Sequence, residues 1–209
     1  TGREAVSAVE ALLSGGREGD VVLALLSGGA SALLADPAEP LTLADLQETT
    51  GLLLRSGASI VELNAVRKHL SRLKGGQLAR LAAPATVVSL ILSDVVGDPL
   101  DVIASGPTAP DPTTFAEAWS VVERRGLAGA LPESVRARLR AGVEGRLPDT
   151  PKPGDSLFGR VHNVLVGSNR LAALAAVGEA RALGYTALLL STFVEGEARE
   201  VARVVAALG

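Results

Sequence analysis

The run Asp20-Val21-Val-Leu-Ala-Leu-Leu26-Ser27-Gly28-Gly29-Ala30-Ser31 decides the fold. Its unbroken apolar stretch, ending at Ser-Gly-Gly, has the pattern of a parallel strand buried on both faces. The same kind of unit recurs outward from it. Residues 3–13 read as a short amphipathic helix ending at Ser14-Gly15-Gly16. Downstream, Thr42 caps a helix over 43–55 with Asp45 in its first turn. Residues 77–81 follow a Gly75-Gly76 stop, and Pro84 breaks the chain before a strand at 86–92. The Gly- and Pro-rich stretch 96–112 is loop. Helices follow at 115–125 and, after Pro132, at 133–141. Residues 149–155 carry Pro151, Pro153 and Gly154 and read as a linker. Beyond them come a strand at 161–166, a helix at 169–183 stopped by Gly184, a strand at 187–190 and a helix at 197–208. Repeated βα order predicts an α/β protein, a three-layer α/β/α fold with a largely parallel, Rossmann-like sheet.

Composition narrows the function classes. At 209 residues the chain can bury a substantial core, and its formal net charge of -3 argues against a basic nucleic-acid footprint or a polybasic membrane patch. Apolar runs are too short for a membrane span, and no signal peptide opens the chain. Cysteine is absent, which removes disulfides, thiol nucleophiles and cysteine metal sites. A cytoplasmic protein with no nucleic-acid or membrane partner is the simplest expectation. The chain opens on Thr1 and holds no Met, so a fragment or trimmed product is expected. Its arginine-rich, Asn- and Gln-poor mix fits a thermophile or a GC-rich genome.

Ligands of such folds bind beyond the carboxyl ends of the strands, and three loops lie there. Ser27, Gly28, Gly29 and Ser31 offer backbone N–H groups and hydroxyls to an anion. Asp94 ends the second strand, where its carboxylate would meet Mg²⁺ or a substrate hydroxyl, or simply cap a turn. Gly167-Ser168-Asn169 leads into a helix N-terminus, an anion site or an N-cap. The stretch Asn64-Ala-Val-Arg-Lys-His-Leu-Ser-Arg-Leu-Lys-Gly-Gly76 reads as one helix gathering Asn64, Arg67, Lys68, Ser71 and Lys74, for an anion or as a solvated face. His69 points elsewhere and is read as packed or surface. No G-x-x-x-x-G-K-[ST], G-x-G-x-x-G, G-x-S-x-G or H-E-x-x-H occurs, so anion binding, oxygen-rich metal chemistry and backbone donors remain.

Residues 26–34, 64–76, Ser93-Asp-Val-Val-Gly-Asp-Pro99 and Val102-Ile-Ala-Ser-Gly-Pro-Thr-Ala-Pro-Asp-Pro112 strongly resemble the class II glycerate 2-kinases, whose members are also called hydroxypyruvate reductases. Pro151-Lys-Pro-Gly154 and Glu195-Gly-Glu-Ala-Arg-Glu200 fit the same pattern, with Ala30 where a third glycine is often expected. The resemblance implies ATP- and Mg²⁺-dependent phosphorylation of D-glycerate to 2-phosphoglycerate by a two-domain enzyme. The chain would be most of its N-terminal domain, without the upstream lysine-bearing loop or the C-terminal domain. The expected roles are catalysis by Arg67, Lys68 and Asp94, supported by Asn64. Ser27, Gly28, Gly29 and Ser31 would hold substrate or phosphate. Ser105, Gly106, Thr108, Asp111, Ser168 and Asn169 would serve the nucleotide, and Asp94 and Asp98 the metal. Glycerate is the expected partner, with a second copy of the chain as a further candidate. A reductase acting on hydroxypyruvate and a non-catalytic anion-binding domain are the alternatives; a reductase should show a nicotinamide fingerprint and a proton donor, and neither is visible.

Overall fold

The predicted apolar runs meet as a parallel sheet. The computed structural model describes residues 2–34 and 36–207. Strands β1 (Val21–Leu26), β2 (Thr86–Leu92) and β3 (Val161–Gly167) lie in the order β1-β2-β3, all parallel. Val21 sits opposite Thr86, and Val87 opposite Val161. Helices flank both sides, giving the α/β class expected from the sequence.

The two faces are covered unequally. On one, Val22, Val87 and Val161 pack with Val9 and Leu13 of α1 (Gly2–Leu13) and Leu78 and Ala82 of α5 (Gln77–Ala82). On the other, Val21, Leu23 and Leu25 are exposed, as are Val164 and Val166. β1, expected to be buried on both faces, is half-buried on one and exposed on the other. A continuous apolar run reports what a strand is able to bury, and the cover must come from elsewhere. Helices α8 (Asn169–Ala182) and α9 (Ala198–Ala206) contain no fully buried residue. The predicted strand at 187–190 forms no ladder, and Leu188 and Leu190 are exposed. An extended segment becomes a strand only when a neighbour satisfies its N–H and C=O groups. Leu208, the expected end of the last helix, lies outside the described residues.

The more deeply buried core is helical. Leu53 of α3 (Leu43–Arg55), Leu63 and Val66 of α4 (Ile60–His69), Phe115, Ala118 and Val122 of α6 (Phe115–Arg124), and Val135 and Leu139 of α7 (Glu133–Val143) form one cluster. Three of these helices begin with a capping box. Thr42 accepts from Asp45 N while Asp45 accepts from Thr42 N, and Ser59–Glu62 and Thr114–Glu117 repeat the exchange. Each satisfies two backbone donors that a helix start leaves free.

The predicted basic helix is displaced: α4 begins at Ile60 and stops at His69. Past that point side chains take over the amides, with Leu73 N donating to Asp36 Oδ2 at 3.0 Å and Lys74 N to Ser71 Oγ at 2.8 Å. Gly75 and Gly76 then adopt φ of 60° and 80°, the left-handed region that glycine enters without strain. Arg67 and Lys74 consequently do not share a helix. Residues 149–155 hold no helix or strand, yet Thr150 and Pro151 are buried against the core. Among the described residues no helix is long and apolar enough to cross a membrane.

Candidate active site

The carboxyl ends of the three strands converge on Asp94. Ser93 N donates to Gly167 O at 2.8 Å, tying the loop after β2 to the end of β3. Gly28, in the loop after β1, lies directly against Asp94: a Cβ at Gly28 would fall 2.1 Å from Asp94 Oδ2. A side chain at Gly28 would have to push the Asp94 carboxylate aside. Gly28, Ser93, Asp94, Gly167, Ser168 and Asn169 line a cleft of about 650 Å³. Ser168 caps α8, accepting from Leu171 N at 3.3 Å, so the first turn of α8 opens at the cleft with its positive dipole end. Ser27, Gly28 and Gly29 are exposed, and Gly29 turns at φ 79° into the short helix α2 (Ala30–Leu33). The side chain of Ser31 lies outside the described residues.

Asp94 is exposed at the cleft. Asp98, at φ 55°, has a buried Oδ1 that makes no hydrogen bond. Among the described residues no group of three or more His, Asp or Glu side chains forms a ready metal cage. A Mg²⁺ ion needs only one or two carboxylates, with water and phosphate completing its octahedron; Asp94 lines the cleft and can supply one, whereas Asp98 is not among the cleft's lining residues.

A second region of the molecule holds buried charge. Lys68 is 2% exposed and donates to Asp111 Oδ1 at 3.2 Å and to Asp101 Oδ2 at 3.3 Å. Asp111, 0% exposed, also accepts from Thr150 Oγ1 at 2.9 Å and from Thr113 N and Oγ1. Burial pushes the Asp111 carboxyl up, but the Lys68 ammonium and the Thr113 hydrogen bonds outweigh it and hold it below its ordinary value. Lys68 is thus spent on carboxylates inside the fold. Arg67, by contrast, lines a separate cavity. His69 is packed as expected, its ring 4.6 Å from Phe115, with Nδ1 at 2.6 Å from Ala65 O and Nε2 at 2.9 Å from Asp149 Oδ1.

The residues expected to serve the nucleotide divide accordingly. Ser105 donates to Asn64 Oδ1 at 3.3 Å, and Gly75 N and Gly76 N donate to Ser105 O and Gly106 O. Thr108 Oγ1 donates to Asn163 Oδ1 at 2.7 Å and accepts from Ser89 Oγ at 3.0 Å. Asn64, Ser105, Thr108 and Asp111 are therefore buried inside the fold, while Ser168 and Asn169 line the cleft. Ala104, Ser105 and Gly106 form a left-handed run with φ of 53°, 62° and 61°, at a cost of about 1–3 kcal/mol for each non-glycine residue. A Cβ at Gly106 would lie 2.8 Å from Asp101 Cα. Arg67 faces a separate cavity between α3 and α4, where burial lowers its proton affinity and Asp36 opposes that shift.

Sequence reasoning did not single out Asp36, Asp101, Asp149, Ser89 or Asn163. Ser89 carried a signal, since it is a polar residue flanked by apolar ones inside a strand run.

The chain is similar to proteins of known sequence and structure across nearly its whole length. The family described as a domain of unknown function, DUF4147, matches residues 1–140. The glycerate 2-kinase of Pyrococcus horikoshii is 46% identical over 90% of this chain and 42% of its own length. The human glycerate kinase is 46% identical over 95% of this chain and 37% of its own length. A crystal structure of glycerate kinase from Thermotoga maritima superimposes with a TM-score of 0.85 at 41% identity, covering 98% of this chain and 46% of that one. This chain thus spans less than half the length of these relatives, but over that span fold and sequence agree. The chain belongs to the DUF4147 domain family and is a homologue of the glycerate kinases.

Proposed function

We propose that the chain forms most of the N-terminal α/β domain of a two-domain, cytoplasmic glycerate kinase, which transfers the γ-phosphoryl group of ATP to D-glycerate to give 2-phosphoglycerate. The observation that carries this reading is the convergence of Gly28, Asp94 and the capped start of α8 at one cleft on the carboxyl edge of the parallel sheet. Phosphoryl transfer asks a protein mainly for positioning and charge stabilisation, and this edge offers both. Backbone N–H groups around Ser27, Gly28 and Gly29, with those of the first turn of α8, suit phosphate oxygens. Asp94 suits Mg²⁺ or the proton of the attacking hydroxyl. Bound Mg²⁺ would neutralise phosphate charge. Lys68, Asn64, Ser105, Thr108 and Asp111 form a buried polar network, and Arg67 lines a separate cavity.

The test is to assay the full-length protein in parallel with D-glycerate, ATP and Mg²⁺ and with hydroxypyruvate and NADH. Glycerate- and Mg²⁺-dependent ADP release without NADH oxidation is expected. NADH oxidation that needs no ATP would replace the kinase with a reductase. Phosphate binding with neither activity would leave an anion-binding domain.

A further inference from the structure

A cavity of about 290 Å³ lies where α1, α5 and α7 meet and shares no lining residue with the Asp94 cleft. Three arginines line it: Arg72 from the stretch after α4, Arg80 from α5 and Arg138 from α7. Glu10 of α1 is the one carboxylate among the lining residues. Where the guanidinium hydrogen bonds go decides what the cavity can take. Arg72 Nη1 donates to Glu10 Oε2 at 2.7 Å, while its Nε is buried and makes no hydrogen bond. Arg80 donates through Nη1 to Gln77 Oε1 at 2.9 Å and through Nη2 to Asp149 O at 2.7 Å. Arg138 donates through Nε to His69 O at 2.9 Å and through Nη1 to Glu39 O at 3.2 Å. Arg80 and Arg138 thus spend these bonds on neutral oxygens, and among the described residues only Arg72 of the three is ion-paired. Burial alone lowers the proton affinity of Arg138. At Arg80 burial does the same, and Asp155 and Asp149 oppose it without an ion pair; Asp149 is itself held by His69 and Lys152. A guanidinium drawn out of water without a counter-ion costs stability, as does a buried N–H without an acceptor, and a bound anion relieves both.

We propose that this cavity is a binding site for a dianionic phosphoryl group, carried by inorganic phosphate or by a small phosphate monoester. Three features select that class. Three lining cations against one lining carboxylate leave two positive charges, which a phosphate dianion balances and a monocarboxylate does not. The arginines come from three separate segments, and tetrahedral phosphate oxygens offer acceptors in several directions, whereas a carboxylate is planar. The cavity is at the small end of ligand pockets, which suits a phosphate or its short ester rather than a nucleotide. The site stands apart from the Asp94 cleft and does not depend on the kinase reading.

The experiment is calorimetric titration of the full-length protein, free of nucleotide and Mg²⁺ and at fixed ionic strength, at about pH 8, where the phosphoryl group is a dianion. The probes are inorganic phosphate, methyl phosphate and acetate, and wild type is compared with Arg72→Gln, Arg138→Gln and Glu10→Gln. Phosphate should bind wild type, with acetate at least tenfold weaker. Arg72→Gln and Arg138→Gln should each weaken phosphate at least fivefold. A lost arginine also removes packing and carbonyl contacts, so the deciding variant is Glu10→Gln. It removes the competing carboxylate and should tighten phosphate at least threefold, which damage to the fold would not do. Methyl phosphate bound as well as phosphate assigns the site to phosphate esters, and phosphate bound alone assigns it to the free ion. No binding by wild type, an affinity that Glu10→Gln leaves unchanged or weakens, or acetate bound as tightly as phosphate overturns the proposal.

Discussion

Lys68 and Asp94 both come from motifs that read as a charged site, yet the fold puts them to opposite uses. Lys68 is enclosed, held by Asp101 and Asp111 in a network that extends through Thr113 and Thr150. Asp94 is exposed at a cleft and pressed against a glycine. A buried charge must find its counter-charges within the protein, whereas an exposed one keeps its solvation and remains able to meet a ligand. Charge density in sequence therefore marks a neighbourhood, and burial decides which of its members stay accessible to a ligand.

The largest effect should come from breaking the enclosed side. Lys68→Ala would leave Asp111 buried without its cation, and loss of one partner of a buried pair costs about 3–5 kcal/mol. Chemical denaturation should show it, and a loss under about 1 kcal/mol would mean that the network is not cohesive. Gly28→Ala should do the reverse, changing stability by less than about 1 kcal/mol. Its methyl group must displace the Asp94 carboxylate, so turnover should fall by at least about tenfold, a barrier change near 1.4 kcal/mol. A smaller effect concerns Asp149. Burial pushes its carboxyl up, but hydrogen bonds from His69 and Lys152 outweigh that and hold it well below the usual carboxylate range. A carboxyl depressed in the folded state contributes fully above its unfolded pKa, about 3.9, and loses that contribution as pH falls through the folded value. Acid titration of the melting temperature should steepen below about pH 4, and Asp149→Asn should flatten that limb.

Much of this fold was legible because local signals and tertiary outcome coincide. The apolar runs at Val21–Leu26 and Thr86–Leu92 became strands with those bounds, and Thr42 capped its helix with Asp45 in the first turn. The basic stretch was misread in extent because its helix ends through a long-range event: Asp36, about 37 residues upstream in sequence, captures Leu73 N and the Ser71 hydroxyl. No local pattern announces that. The convergence of the strand-end loops followed from the general rule for parallel sheets, which assigns ligands to their carboxyl edge. The interior placement of Asn64, Lys68, Ser105, Thr108 and Asp111 did not, because polarity reads as surface until three dimensions supply a partner.

The most direct test is Asp94→Asn in the full-length protein, with denaturation midpoint and glycerate-dependent ATP turnover measured on one sample across a Mg²⁺ series. The exchange preserves shape and removes charge at an exposed position, so stability should move by no more than about 0.5 kcal/mol. Turnover should fall by about 10²–10⁴-fold, with any residual activity demanding more Mg²⁺. Near-normal turnover at ordinary Mg²⁺ would contradict the assignment and leave Asp94 as a turn residue.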